Sequence, residues 1–335
     1  MQKDKIRPNK NRVALGTFPL ANVFSKVTTS DAKKIVEEFL NNGGYFIHTA
    51  PLYSFGEVEK LLGRTLRKYP RERFYLSTMC GYIDVEGKTF ATVKKSGKFK
   101  DVIKECERSL RRLGLDYIDL YFNHSPDPNT PFSETMDALS KLQDEGKIKN
   151  IGVSNVTLTE LKEYNQTGKV KFVQNRFSLI NRSIDRGFAK YLLDNKIGLV
   201  PYQPIERGQL TGKMLEKYTL KSEDLRIGRP DWEDEKVKVV ADWVKKSLKP
   251  IADKIGITIG QLAIAWTLHQ QYVSFSLVGT TNIKQMLVNL KADKVKLDRE
   301  MLNQLEKVYK ELENNIESSY ETTIREFRGL NEKFY

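Results

Sequence analysis

The chain is poor in the features that send a protein out of the cell or into a membrane. Its 335 residues contain two cysteines, Cys80 and Cys106, too few for the disulfide framework of a secreted domain. The opening residues, Met1 to Arg12, are polar and basic, without the apolar stretch of a secretory signal. Nowhere do about 18 apolar residues run together, the length needed to cross a hydrocarbon core. The expectation is a cytoplasmic protein with no membrane role. Histidine is scarce too, with three in the chain, and no metal site is predicted. Acids are outnumbered, leaving a formal charge of +13, yet the basic residues alternate with acids, as in Lys33-Lys34 and Glu37-Glu38, in the manner of solvated helix faces. No groove-reading or RNA-stacking motif accompanies the charge, so the expected partner is a small molecule and not a nucleic acid. One local excess stands apart. Between Glu86 and Lys100, Lys88, Lys94, Lys95, Lys98 and Lys100 face one acid. Beside a ligand site such a cluster favours anionic cofactors or substrates; the plainer alternative is a solvated loop.

What is present is a repeat of β-rich runs and helical patterns, the signature of βα units around a parallel sheet. Eight strand-like runs occur, at Val13–Thr17, Tyr45–Ala50, Phe74–Met79, Tyr117–Asn123, Ile148–Ser154, Val170–Asn175, Gly198–Tyr202 and Ser274–Val278. Between them Asp31–Leu40, Val58–Arg67, Val102–Leu113, Ser133–Asp144 and Lys236–Ala252 carry apolar residues at three- and four-residue spacing. The reading is α/β, a single (β/α)₈ barrel domain over residues 1–335. Two long interruptions, Gly81–Phe99 and Glu206–Asp234, leave from the C-terminal rim and are lid candidates. An extra helix, Arg299–Asn314, and an aperiodic tail, Ser318–Tyr335, follow the last unit.

Chemistry in such a barrel collects at the C-terminal ends of the strands. Polar residues that packing does not require stand there: Thr17, His48, Tyr53 just beyond, His124, Ser154-Asn155, Gln174-Asn175, Tyr202-Gln203 and Gly279-Thr280. Two of the three histidines end strands on one rim beside a tyrosine, a grouping suited to proton transfer.

The segment Gly44-Tyr45-Phe46-Ile47-His48-Thr49-Ala50-Pro51-Leu52-Tyr53, with Gly56 and Leu61-Leu62-Gly63, resembles the aldo-keto reductase signature, in which a strand ends in Asp-Thr-Ala and a catalytic tyrosine follows. Further matches run in order. They are Leu113-Gly114-Leu115-Asp116 leading to His124 and Pro126-Asp127, Gly146-Lys147-Ile148 leading to Ser154-Asn155, then Val173-Gln174-Asn175, Tyr202-Gln203-Pro204, Gly208-Gln209-Leu210-Thr211-Gly212-Lys213 and Gly279-Thr280-Thr281. The resemblance spans about Val13 to Ala292.

It implies an extended nicotinamide dinucleotide bound at the rim, NADP(H) before NAD(H). Tyr202 would stack on the nicotinamide, while Ser154, Asn155 and Gln174 hold its carboxamide; the plain alternative for Tyr202 is a packing aromatic. Thr17, Gln203, Ile205, Gly208 and Leu210 fall among the cofactor-binding positions, and Gly279, Thr280, Thr281, Gln285 and Asn289 at the adenosine end. Lys284 stands nearby, and Gln285 replaces a basic residue that some relatives carry. Phe18, Phe55 and Met79 are expected in the substrate pocket.

The catalytic set departs from the family. Tyr53 and His124 match, but His48 stands at the aspartate position and Met79 at the lysine position. An ammonium beside a tyrosine favours its ionisation, so its loss leaves Tyr53 a slower proton relay. Three readings stay open: a reductase or dehydrogenase in which His124, alone or with His48, carries the proton transfer, a redox-neutral enzyme such as an eliminase or epimerase, and an idle dinucleotide-binding regulator. His48 could also simply fill the space of the missing pair, and Met79 is read as lining. Cys80 points to the opposite side of its strand and is read as packing.

Overall fold

Alternation along each strand decides which side chains turn inward, and here it separates two cores. The computed structural model describes residues 10–84, 92–215, 219–220, 222 and 224–313. Its sheet contains eight parallel strands: β1 (Val13–Gly16), β2 (Phe46–His48), β3 (Tyr75–Cys80), β6 (Ile118–Asn123), β7 (Ile148–Ser154), β8 (Val170–Gln174), β9 (Gly198–Leu199) and β10 (Ser276–Gly279). Strand β10 pairs with β1 at one end of the row, and bridges Leu199↔Val273 and Tyr202↔Leu277 close the other end, so the sheet is a barrel. Phe46, Tyr75, Met79, Leu120, Phe122, Phe172, Val200 and Phe275 fill the interior. Their neighbours Ile47, Leu76, Cys80, Tyr121, Val173 and Leu199 face outward under the helices. Cys80 thus packs against the helical layer, as the alternation predicts.

The helices are α1 (Thr29–Asn41), α2 (Glu57–Leu66), α3 (Phe99–Leu113), α4 (Phe132–Asp144), α5 (Leu158–Tyr164), α6 (Arg186–Asp194), α7 (Asp234–Trp243), α8 (Lys249–Lys254), α9 (Ile259–His269), α10 (Ile283–Leu290) and α11 (Arg299–Glu313). Side-chain caps start several of them, including reciprocal pairs Thr157/Glu160 on α5 and Thr258/Gln261 on α9. The helix expected over Lys236–Ala252 is two helices joined by a π-helical segment at Val244–Leu248. Pro250 lacks the N–H that an unbroken α-helix would need there, and the wider turn accommodates it. Among the described residues no helix is long and apolar enough to cross a membrane.

The described residues of the first rim segment include paired strands. Strands β4 (Tyr82–Asp84) and β5 (Val93–Lys95) form an antiparallel hairpin in which Tyr82 pairs with Lys95 and Ile83 with Lys94. Gly81 makes the turn into it at φ +102°, where a Cβ would stand 2.6 Å from Asn123 Oδ1. Asp127, from the Pro126-Asp127 motif, holds the far side of the base by accepting from Gly97 N at 3.0 Å and Thr130 Oγ1 at 2.6 Å. Lys88 and the Ser318–Tyr335 tail lie outside the described residues.

Helices α2 and α3 approach most closely at Gly63, where a Cβ would fall 2.6 Å from the Leu113 carbonyl oxygen and 2.7 Å from that of Arg112. Alanine stabilises most helix interiors relative to glycine. Here the colliding atoms are backbone, so Gly63→Ala is expected to cost about 1–3 kcal/mol, read as a lowered urea midpoint with an unchanged slope; an unchanged or raised midpoint would show that the helices can separate.

Candidate active site

The strand ends open into a cavity of roughly 680 Å³. Its inner end is built by β2, β6 and β8. His48, the last residue of β2, points inward, is 1% exposed, and has Nδ1 2.7 Å from Ser77 Oγ on the adjacent strand. The Gln174 amide nitrogen lies 3.5 Å from both ring nitrogens, which places it over the ring face. Tyr53 follows β2 and meets His48 edge to face, with ring centroids 6.3 Å apart. His124 directly follows β6 and is packed by Tyr82 of the hairpin at 5.0 Å. Phe18 lies against Tyr53 at 5.1 Å and Phe24 at 5.8 Å, giving an aromatic entrance.

Burial dominates the electrostatics of this end. Desolvation, with His124 adding, holds His48 down at about 3, and desolvation, with the Lys95 ammonium adding, holds His124 down at about 4. Both imidazoles are neutral at pH 7. Burial, with Tyr202 adding, pushes the Tyr53 hydroxyl above its ordinary value, so it carries its proton.

Asn155 sits at φ +56° and ties the wall together. Its Oδ1 accepts from the Tyr202 hydroxyl at 2.8 Å, and its Nδ2 donates to the His124 carbonyl at 2.9 Å. From there the cavity runs past Gln203, Ile205 and Gly208 to Gly279, Thr280, Thr281, Gln285 and Asn289, the last three beside Lys284. Thr280 Oγ1 donates to the Asn282 carbonyl at 3.1 Å.

Five positions expected at the site lie off the cavity wall. Thr17 is fully buried and its hydroxyl donates to the His48 carbonyl at 2.9 Å, so it positions the strand end. The Ser154 hydroxyl is spent on the Gln174 carbonyl at 2.7 Å. Leu210 packs in the outer core. Phe55 is turned off the wall by two consecutive left-handed residues, Ser54 and Phe55 itself. Met79 points inward but is closed over, 1% exposed in the inner cluster.

Other wall residues escaped the sequence reading. Arg207, Lys213, Arg226 and Arg229 join Lys284 on the wall. Asp231 accepts from Arg176 at 2.9 Å and Arg207 at 2.7 Å, and pairs with Arg229 at 3.2 Å. Burial pushes its carboxyl upward, but Arg207, Arg176 and Arg229 outweigh this and hold it at about 2. Arg226 bonds Asp224 and lies between Phe24 at 5.5 Å and Trp232 at 4.6 Å, while Leu225 N donates to Val23 O at 3.1 Å. The second rim segment therefore crosses the cavity to reach the β1–α1 loop. A signal existed in Asp224/Arg226 and Arg229/Asp231, charge pairs two residues apart in one loop.

Nicotinamide dinucleotides carry a diphosphate, and this wall supplies five basic side chains and, among the described residues, no carboxylate. The sequence profile of the aldo/keto reductase family matches residues 12–310. The chain belongs to the aldo/keto reductase family. Members of this family are oxidoreductases that bind a nicotinamide cofactor. Aldo-keto reductase YhdN of Bacillus subtilis is 31% identical over 280 residues, 82% of this chain and 83% of that protein. The NADH-specific methylglyoxal reductase of Escherichia coli is 31% identical over 316 residues, 89% and 96% of the two. Among solved structures, the glycerol dehydrogenase of Gluconobacter oxydans superposes with a TM-score of 0.84 at 27% identity, covering 95% of this chain and 99% of that one. This family member accordingly shares the (β/α)₈ barrel of its relatives.

The two depressed imidazoles link the site to stability. An unfolded histidine protonates near 6.5, whereas these do so near 3 and 4 in the fold, so stability is complete above pH 6.5 and is lost as pH falls toward 4. At pH 5 each accounts for about 2 kcal/mol. Denaturation from pH 7 to 5 is expected to show a smaller loss in His48→Gln and His124→Gln than in the parent; equal losses would place the acid sensitivity elsewhere.

Proposed function

We propose that this chain is a reductase or dehydrogenase that exchanges electrons between NADP(H) or NAD(H) and a carbonyl or hydroxyl of a small anionic or sugar-type substrate, with a catalytic set lacking the usual lysine. The observation that carries it is one cavity joining a neutral Tyr53/His124/His48 end to a strongly basic end.

When bound, the cofactor supplies two electrons and one of the two hydrogens exchanged with the substrate. The Tyr202 ring, held by Asn155, and the Gln174 amide fit the nicotinamide end. Arg207, Arg226 and Arg229 fit the diphosphate, and Gly279, Thr280, Thr281, Gln285 and Asn289 the adenosine. NADP(H) is favoured because Lys284, with Thr280 and Thr281, offers a cation and hydroxyls for a further phosphate. The relative named for NADH shows that family membership does not decide this choice, so the preference rests on Lys284.

At the other end Tyr53 donates its proton to the carbonyl oxygen as charge develops there. Neutral His124 orients that oxygen. His48 is too acidic an imidazolium to store a proton at pH 7, so its part is to present a neutral ring nitrogen, with Ser77 fixing the other. Without an ammonium the tyrosinate left after donation is poorly stabilised, and ordinary aldehydes are reduced slowly.

Titrating nicotinamide fluorescence should show NADPH binding at least as tightly as NADH, and binding of neither would remove the proposal. NADPH consumption should match product formed; product without consumption would assign a redox-neutral reaction instead.

Restoring the absent pair tests the chemistry. Met79→Lys alone places an amine among Phe122 and other apolar groups, where desolvation lowers its pKa. With His48→Asp beside it the ammonium gains a partner, so the double variant should raise 4-nitrobenzaldehyde reduction by more than the product of the single effects, within the range of about 10²–10⁴ that proton-transfer assistance supplies. Multiplicative effects, or a rate untouched by Tyr53→Phe, would move the proton donor elsewhere.

A further inference from the structure

Hydrogen-bond partners at the catalytic end decide which nitrogen of His48 carries its proton. Ser77 and His48 are paired in register on β3 and β2. The Ser77 hydroxyl is fully buried, and among the described residues its one side-chain partner is His48 Nδ1 at 2.7 Å. A hydroxyl has one hydrogen to give and two lone pairs to receive with, and a neutral imidazole has one N–H and one bare nitrogen. Were the proton on Nδ1, Ser77 would have to accept it and its own hydrogen would be stranded, a loss of the kind that disfavours any buried donor without an acceptor. With Nδ1 bare, the hydroxyl donates to it and no hydrogen is left over. The ring proton is then on Nε2.

Nε2 meets no acceptor among the described residues. The Gln174 amide nitrogen, 3.5 Å away over the ring face, is itself a donor. Tyr53 and Phe122 meet the ring at steep angles through their aromatic rings. His48 lines the cavity, so with Nδ1 held by the adjacent strand, Nε2 is the nitrogen left for a ligand. The backbone beneath is fixed as well. The His48 carbonyl accepts from Thr17 N at 3.0 Å and from the Thr17 hydroxyl at 2.9 Å, and Thr49 N donates to the Ser77 carbonyl at 2.9 Å.

We propose that His48 is a catalytic residue whose Nε2–H donates a hydrogen bond to the substrate oxygen that Tyr53 protonates, and that Ser77 is the positioning residue that fixes this tautomer. This rests on the oxidoreductase reading above and deepens it. No proton leaves His48; the transferred one comes from Tyr53. A donor held in place before the reaction strengthens as negative charge gathers on the oxygen, so it favours the transition state over bound substrate and is read in kcat more than in KM. It offsets part of what an absent ammonium would have supplied.

The first measurement reads the proton itself. The two nitrogens of a neutral imidazole resonate far apart in ¹⁵N spectra according to which one carries hydrogen. The chain has three histidines, and the spectrum of His48→Phe identifies the signals of His48. At pH 7 the parent should carry hydrogen on Nε2 alone, Ser77→Thr should keep that pattern, and Ser77→Ala should mix the two tautomers. Adding 4-nitrobenzyl alcohol to the NADPH-bound protein should move the Nε2–H resonance. In 4-nitrobenzaldehyde reduction, His48→Phe should lower kcat by about 10²–10³, the cost of removing one such donor, while KM changes by less than about threefold. Ser77→Ala should lower kcat by about tenfold, the worth of one hydrogen bond, and Ser77→Thr should keep most of the parent rate. If the parent reduces no aldehyde while its tautomer and ligand response hold, the oxidoreductase reading fails and the donor assignment stands. Hydrogen on Nδ1 in the parent, a tautomer indifferent to Ser77→Ala, or a kcat unchanged in His48→Phe overturns the proposal.

Discussion

The guanidinium of Arg176 is 1% exposed, just past the end of β8, and much of the rim is arranged around it. Taking such a charge out of water is costly, and one carboxylate seldom offsets the desolvation. Arg176 has two, Glu206 and Asp231, contributed by opposite ends of the long second rim segment. Glu206 also accepts from Ser178, and Asp231 from Arg207 and Arg229. A charge buried with this many partners fixes geometry more than it adds stability. Breaking one side of it would strand a charge, at a cost of about 3–5 kcal/mol. Glu206 and Asp231 are thereby held on one cation, and Leu225 and Arg226 of the same segment reach Val23 and Phe24.

Two electrostatic environments in one cavity follow from this arrangement. At the Arg176 end, carboxylates are consumed inside the network, behind the wall, while the guanidinium groups of Arg207 and Arg229 that they hold still reach the cavity. The wall is therefore basic although the loop carries acids. At the other end burial has discharged the titratable groups instead. His48 and His124 are neutral and Tyr53 keeps its proton, because desolvation penalises each charged form and, among the described residues, the wall carries no carboxylate to offset it for the imidazoles. The basic end suits phosphates, and the neutral end suits an uncharged polar group.

Much of this was legible in the sequence, and the limits have physical causes. The barrel strands are short, β-rich and regularly spaced, and Tyr53, His124, Tyr202 and Gly279, through which the resemblance runs, line one cavity. Strand ends alone do not distinguish a side chain that reaches the wall from one absorbed by its neighbours. Thr17 and Ser154 are polar and correctly sited, yet each hydroxyl is taken by a carbonyl of the adjacent strand. Phe55 depends on two left-handed residues that its sequence does not announce, and Met79 on how deep the inner aromatic layer fills. Arg176 looked like an ordinary charged residue after a strand, because its partners lie 30 and 55 positions away. The lysine-rich segment read equally as a solvated loop, and only the pairing of Tyr82 with Lys95 divides its lysines between two faces.

If His48 and Met79 stand where relatives carry an aspartate and a lysine, as proposed above, the exchange is also coherent as packing. Met79 lies beside Phe122 in strand register and the His48 ring meets the same Phe122 at 6.0 Å, so both replacements contact one aromatic floor. A lysine there would need a buried counter-charge, and an aspartate would need the lysine. Removing only one member would leave an unpaired charge in the barrel, whereas removing both leaves a neutral layer in which Ser77 satisfies one imidazole nitrogen. The Gln174 amide nitrogen covers the ring face, 3.5 Å from both ring nitrogens. In that reading the two positions relieve each other's desolvation, and the proposed chemistry falls to groups that work without a net charge.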